Sequence, residues 1–268
     1  MNRTEIERFL REDIGVEDIT SQTLPSGEVV ADIISKDEGT LAGLSEAKSI
    51  FRYFDISTSP FHVDGDHYKE DEVIMSVKGE ARDILLPERV ALNFLSRMSG
   101  IATLTKKCVE LAKGVTIAGT RKTTPGFMKY EKKAIILGGG DPHRFTLSDA
   151  YLFKDNHLKI IPIEDIFKKR LYFTKKVEVE VETIDDCVKA AEYGADIIMF
   201  DNMSAKSIVE AVARLTQLGL RGKVILEASG GITPHNIADY AATGVDVLSL
   251  GYLTHSSKWS NFSLEVQS

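Results

Sequence analysis

Cysteine is nearly absent from this chain: Cys108 and Cys187 are its only two in 268 residues. Two thiols in helix-like apolar patterns make neither a disulfide scaffold nor a zinc-ligand grouping, and they read as buried thiols of a reduced, cytoplasmic protein. Long apolar runs are missing as well. None approaches the ~20 residues of a membrane span, and the polar start Met1-Asn-Arg-Thr-Glu is no signal peptide, so no membrane association is expected. Nor is there an excess of basic residues: 33 Lys and Arg against 40 Asp and Glu leave a net charge of −7. That balance argues against a nucleic-acid partner, where a basic footprint is expected. There is no tandem repeat, no low-complexity tract and no Gly-x-Ser-x-Gly elbow of a hydrolase. Any cluster of cations in so acidic a chain needs its own explanation.

What is present is ordinary in bulk, with 43% hydrophobic and 27% charged residues, enough for one large domain or two modest ones. The order is more informative. Six short apolar runs in the second half each end in a charged or hydroxyl residue: 116–122, 151–154, 177–180, 197–201, 224–229 and 245–249. Stretches long enough for a helix separate them, and strand–helix–strand repetition means a parallel sheet that closes economically into a barrel. The first hundred residues differ. Residues 4–14 form an amphipathic helix, and 29–35 and 73–77 alternate as antiparallel strands do, with a glycine turn at Gly39 and a hairpin signal at Asp64-Gly65-Asp66. Pro87 is placed where a long helix begins, its spacing interrupted at Gly100. The expected fold is therefore α/β, with an N-terminal open α/β sandwich over 1–105 and an incomplete, TIM-like α/β barrel over 106–268. The segment 256–268 is expected to pack back onto the first domain.

Chemistry in a barrel gathers where strands end. Lys176-Val-Glu178-Val-Glu180-Val-Glu182 puts valines on one face and charges on the other. Helices cover the outer face of a barrel, so the charges point inward and must meet cations, a metal or substrate; a Lys176–Glu178 pair is the purely structural alternative. Asp201 ends the next run. It is either a helix cap or, with Glu180, a hard-oxygen pair suited to Mg2+ beside a phosphorylated ligand. Arg121-Lys122 and Lys154 close two further strands, and Gly138-Gly-Gly140-Asp-Pro-His143-Arg144 delivers a histidine and an arginine between them. With Arg89 these cations imply a polyanionic ligand. Ser229-Gly230-Gly231 and Ser249-Leu-Gly251 follow the last two strands, where backbone N–H groups and helix N-termini hold phosphate. His157 and His235 read as loop or cap residues, and His255 is undecided.

The chain resembles the quinolinate phosphoribosyltransferase family. The resemblance runs through Glu88-Arg-Val-Ala-Leu-Asn, Gly119-Thr-Arg-Lys-Thr-Thr-Pro-Gly126, His143-Arg144, Lys154-Asp-Asn-His157, Glu178-Val-Glu180, Asp201-Asn202, Glu227-Ala-Ser-Gly-Gly-Ile232 and Thr254-His255, in order over nearly the whole length. It implies transfer of the phosphoribosyl group of phosphoribosyl pyrophosphate to quinolinate with Mg2+, giving nicotinate mononucleotide, pyrophosphate and carbon dioxide. It also implies a homodimer, or a dimer-based oligomer, whose active site is shared between subunits. By matching position Arg121, His143, Arg144 and the neighbouring subunit's copy of Arg89 would hold the quinolinate carboxylates. Lys122 and Lys154 would meet carboxylate and pyrophosphate charge. Glu180 and Asp201 would serve Mg2+ and the ribose hydroxyls, and with the two lysines form the catalytic set. Ser229, Gly230, Gly231, Ser249 and Gly251 would hold the 5′-phosphate.

Three alternatives remain open at this point. Molybdenum-transport-associated relatives share the Thr-Arg-Lys and His-Arg segments but lack the Lys-Asp-Asn-His run. A nicotinate-salvage enzyme would not need so many cations for a second carboxylate. A barrel that merely binds a phosphorylated ligand would need neither Glu180 nor Lys154.

Overall fold

The computed structural model describes residues 1–169 and 171–267. They divide into two compact units. Met1–Leu104, Ile136–Gly138 and the segment from Ser257 onward form one; Thr105–Ile135 and Gly139–Ser256 form the other.

The first unit opens with α1 (Arg3–Ile14), which buries Ile6 and Leu10 and is closed by a capping box between Asn2 and Glu5. Then come β1 (Glu28–Ser35), β2 (Gly39–Thr40), α2 (Leu44–Tyr53), β3 (Ser57–Pro60), β4 (His67–Tyr68), β5 (Val73–Glu80) and the long α3 (Ala81–Leu111). β1 lies between β5 and a strand from the far end of the chain, β12 (Phe262–Val266), with β3 beyond β5; every pairing is antiparallel. Ile33, Met75 and Val77 are buried, as is Ala31.

Four local expectations are corrected here. The helix expected from Pro87 starts at Ala81, directly from β5, with Pro87 inside it. A proline there deletes one backbone hydrogen bond, and the turns that follow offset the loss by burying Val90, Phe94, Leu95 and Met98. Gly100 does not interrupt the helix either. A Cβ at that position would stand 2.0 Å from the Lys258 carbonyl oxygen, so glycine lets the C-terminal segment lie against the helix. The Asp64-Gly65 turn makes no hairpin, because β3 pairs with β5 whereas β4 pairs with β2. Asp64 instead accepts from the Leu44 and Ser45 amides at 2.8 and 3.3 Å, capping α2. Gly39, expected in a turn, lies in β2.

In the second unit the order is β6 (Thr116–Ala118), α4 (Met128–Leu137), β7 (Tyr151–Phe153), α5 (Asp155–Leu158), α6 (Ile163–Lys169), β8 (Val177–Val181), α7 (Ile184–Glu192), β9 (Ile197–Asp201), α8 (Ala205–Gln217), β10 (Ile225–Ser229), α9 (Ile237–Ala241), β11 (Val247–Ser249) and α10 (Tyr252–His255). The six expected strands are all there and all parallel, in spatial order β6-β11-β10-β9-β8-β7. Among the described residues β6 and β7 do not pair with each other, so the barrel is incomplete. Thr183 and Ser204 cap α7 and α8 with their side-chain oxygens. Both faces of the sheet are covered, as the unbroken burial of β8 shows. No helix is long and apolar enough to cross a membrane, among the described residues.

Candidate active site

The C-terminal ends of the strands surround a cavity of about 300 Å³. Four cationic side chains and a histidine line it: Arg121 and Lys122 beyond β6, Arg144 and His143 from the loop before β7, and Lys154 at the end of β7. Glu180 and Asp201 line it from β8 and β9, Ser229 and Ser249 from β10 and β11. Leu152 and Met199 supply apolar wall.

Strand register explains why these side chains converge. Glu180 pairs with Met199, and Ser229 pairs with both Asp201 and Ser249, so period-two alternation points the set to one side. Val177, Val179 and Val181 take the other side and are at most 2% exposed. Lys154 donates to Glu180 at 2.5 Å. Asp201 is not the cap of α8, a role Ser204 fills. It accepts instead from the neighbouring Asn202 side chain at 2.8 Å, leaving its carboxylate at the cavity wall.

Beneath this ring lies a group that alternation alone did not resolve. Glu178 and Glu227 are 1% and 2% exposed, and His143 reaches between them, its Nε2 3.6 Å from Glu178 and 3.3 Å from Glu227. The structural alternative of a Lys176–Glu178 pair does not hold, because that lysine precedes the strand and is exposed; Glu182 beyond the strand, expected to point inward, is exposed too. Burial pushes the Glu178 carboxyl well up, and the Glu227 charge adds to this against the pull of His143, Arg144 and Lys154. Burial alone would lower His143; the Glu227 hydrogen bond and charge, with the Glu178 charge, outweigh it and hold the imidazole above its ordinary value. Lys132, fully buried on α4, donates to the carbonyls of Pro142 and Arg144 on either side of His143. Burial lowers that ammonium to about 8, the Asp141 charge opposing. The available signal was parity: Glu178 shares a face with Glu180, and Glu227 with Ser229.

The remaining expected residues stand elsewhere. Arg89 lies on α3 in the first unit, its side chain 61% exposed and its nearest carboxylate Glu88 at 3.8 Å, and it is not among the cavity-lining residues. Gly230, Gly231 and Gly251 follow the strand ends without lining the cavity. Gly230 sits at φ +96°, where a Cβ would stand 2.8 Å from the Asn202 amide nitrogen. α9 begins only at Ile237, so the Gly230-Gly231 turn can offer loop amides but no helix N-terminus. The His157 ring accepts the Lys154 amide at 3.0 Å, the capping role read from sequence. His255 binds Ser256 at 2.6 Å.

An incomplete parallel barrel whose strand ends gather four lysine and arginine side chains and a histidine against three carboxylates defines an enzyme for anionic substrates. Profiles of the quinolinate phosphoribosyl transferase N- and C-terminal domains match residues 18–99 and 101–265. A probable carboxylating nicotinate-nucleotide pyrophosphorylase from Methanothermobacter thermautotrophicus is 47% identical over 98% of each chain. The human carboxylating nicotinate-nucleotide pyrophosphorylase is 35% identical over 97% of this chain and 90% of its own. The solved nicotinate-nucleotide pyrophosphorylase of Francisella tularensis superposes with a TM-score of 0.93 at 37% identity, covering 100% of this chain and 98% of that one. The chain belongs to the quinolinate phosphoribosyltransferase family.

Proposed function

We propose that this protein transfers the phosphoribosyl group of phosphoribosyl pyrophosphate to quinolinate with decarboxylation, releasing nicotinate mononucleotide, pyrophosphate and carbon dioxide. The observation that carries this reading is the single cavity in which Arg121, Lys122, His143, Arg144 and Lys154 meet Glu180 and Asp201. Two polyanions repel each other, and clustered cations in a low-dielectric recess oppose that repulsion and hold the reacting atoms together. Arg121, His143 and Arg144 grip the quinolinate carboxylates; Lys122 and Lys154 face the departing pyrophosphate and the carboxylate. Glu180 and Asp201 stabilise a ribose that gains positive character as pyrophosphate leaves, as carboxylates do in glycosidic chemistry. After carbon dioxide departs, the same cationic wall favours the electron-rich ring carbon. Ser229 and Ser249, with the amides that follow them, take the 5′-phosphate.

The hard oxygens of Glu180 and Asp201 fit Mg2+, which would take its other ligands from water and pyrophosphate and screen the pyrophosphate charge. Arg89 completes a neighbour's site in a dimer. Mixing Arg89→Ala subunits with Lys154→Ala subunits should restore activity through one intact composite site, and mixed dimers that stay dead count against sharing. The two free, buried cysteines accord with a reducing cytoplasm. The overall test is equimolar release of pyrophosphate and carbon dioxide from quinolinate and phosphoribosyl pyrophosphate. Turnover of nicotinate in place of quinolinate, or binding without pyrophosphate release, would overturn the reading.

A further inference from the structure

His143 is held by more than a substrate contact needs. Its backbone lies at φ +54°, a left-handed conformation that costs a residue with a side chain. Its amide donates to Asp141 at 2.5 Å, and Lys132 pins the carbonyls of the residues before and after it. Constraint from both sides turns the ring into the barrel, so that Nε2 points down between Glu178 and Glu227. Glu227 is itself fixed, because Ser249 donates to its other oxygen at 2.5 Å. Glu178 presents its other oxygen to the same Nε2 at 3.6 Å, and its Oε1 is fully buried without a hydrogen-bond partner.

From this arrangement we infer that His143 meets the quinolinate carboxylate as an imidazolium, with Glu227 as the positioning residue that anchors Nε2–H and so leaves Nδ1–H to the substrate. The inference rests on the substrate reading above and assigns to Glu227 a role exerted through His143. With a neutral ring whose one proton was on Nε2, Nδ1 would present a lone pair to a carboxylate and repel it. A second proton turns that contact into a charge-assisted hydrogen bond. The charged groups packed round the ring are Glu178 from β8, Glu227 from β10, Lys132 from α4, and Asp141 and Arg144 from its own loop. The Glu227 and Glu178 carboxylates lie 3.3 and 3.6 Å from Nε2, and their pull outweighs burial and the Lys132 charge. The same three donors, within 4.8 Å of one another, could be taken for a cation site. Positive charge from Lys132, Arg144 and Lys154 already surrounds them, which favours a proton over a dication there.

The test needs no substrate at its first step. Nitrogen spectra of the free protein with 15N-labelled histidine, with His143 assigned by its loss in His143→Asn, should show a doubly protonated ring at about pH 7.5, where an ordinary histidine is mostly neutral. Glu227→Gln keeps the shape and the Ser249 contact but removes the charge, and in it the ring should be neutral at that pH. In kinetics the same variant should raise the KM for quinolinate severalfold at about pH 8 and by less at about pH 6. Its kcat and its KM for phosphoribosyl pyrophosphate should stay within about twofold. A neutral His143 in the wild-type protein overturns the inference, as does an unchanged titration in Glu227→Gln. Should that variant not fold, the wild-type spectrum decides alone. Should the wild-type protein not consume quinolinate, the substrate reading fails while the spectra still report whether Glu227 sets the charge on His143.

Discussion

In the antiparallel sheet of the first unit, charge stays in water. Lys78 on β5 and Glu28 on β1 form an ion pair at 2.8 Å and are 57% and 64% exposed, and Lys36, just past β1, meets a half-exposed Glu265. In the parallel sheet of the second unit, Glu178, Glu180 and Glu227 are 1, 7 and 2% exposed. Both sheets alternate apolar and polar residues, yet only one turns its polar side into an enclosed space. An exposed ion pair is screened and spends side-chain entropy on its geometry. A buried carboxylate without a partner costs several kcal/mol and is retained where chemistry needs it. Sequence alternation gives the face, and the architecture decides whether that face is solvated or reactive.

Six substitutions, grouped into four experiments, test this contrast, beginning with the largest expected effect. Glu180→Gln and Asp201→Asn should lower turnover with phosphoribosyl pyrophosphate about 10²–10³-fold and shift the magnesium dependence, while quinolinate affinity and melting temperature change little. Lys154 is 46% exposed, so losing its partner leaves no sealed charge behind. A large fall in melting temperature with normal magnesium dependence would return both carboxylates to a structural role.

Lys132→Met should cost about 2–4 kcal/mol of stability in urea titrations, because it strands two half-buried carbonyls and removes a buried ammonium from its partners. It should also weaken quinolinate binding by releasing the His143 loop; intact binding would separate that loop from the site. Arg121→Ala and Arg144→Ala should each lose about 1.5–3 kcal/mol of quinolinate affinity by calorimetry, and unchanged affinity in both would remove them from the substrate wall. Last, Lys78→Ala should leave both the melting temperature and the kinetics where they were. A clear change in either would mean that the surface charges of the antiparallel sheet matter more than their exposure allows.

The barrel was legible because strands covered on both faces read as apolar runs, and their terminal charges could be named before their partners were known. Arg121, Lys122, His143, Arg144, Lys154, Glu180 and Asp201 all reach one cavity for that reason. The first unit was less legible. Gly39 has no side chain to show alternation, Pro87 carries a start signal that the downstream apolar face overrides, and the Asp64-Gly65 turn caps a helix instead of reversing a strand. The pairing of His143 with Glu178 and Glu227 was hidden for a different reason. It depends on a left-handed loop residue, and neither helical nor strand periodicity extends through such a loop.

The return of β12 to β1 has a consequence for how the chain is made. The edge of β1 that receives Phe262 to Val266 stays open until the residues beyond the barrel have been synthesised. Every strand and helix of the barrel precedes that point, so on a ribosome the catalytic unit can close first, while the earlier-made sheet waits with an unpaired edge. Such an edge invites pairing with other chains. A truncation just before Phe262 would therefore leave the barrel's strands intact and yet be expected to yield aggregates, with the defect in the half of the protein translated earliest.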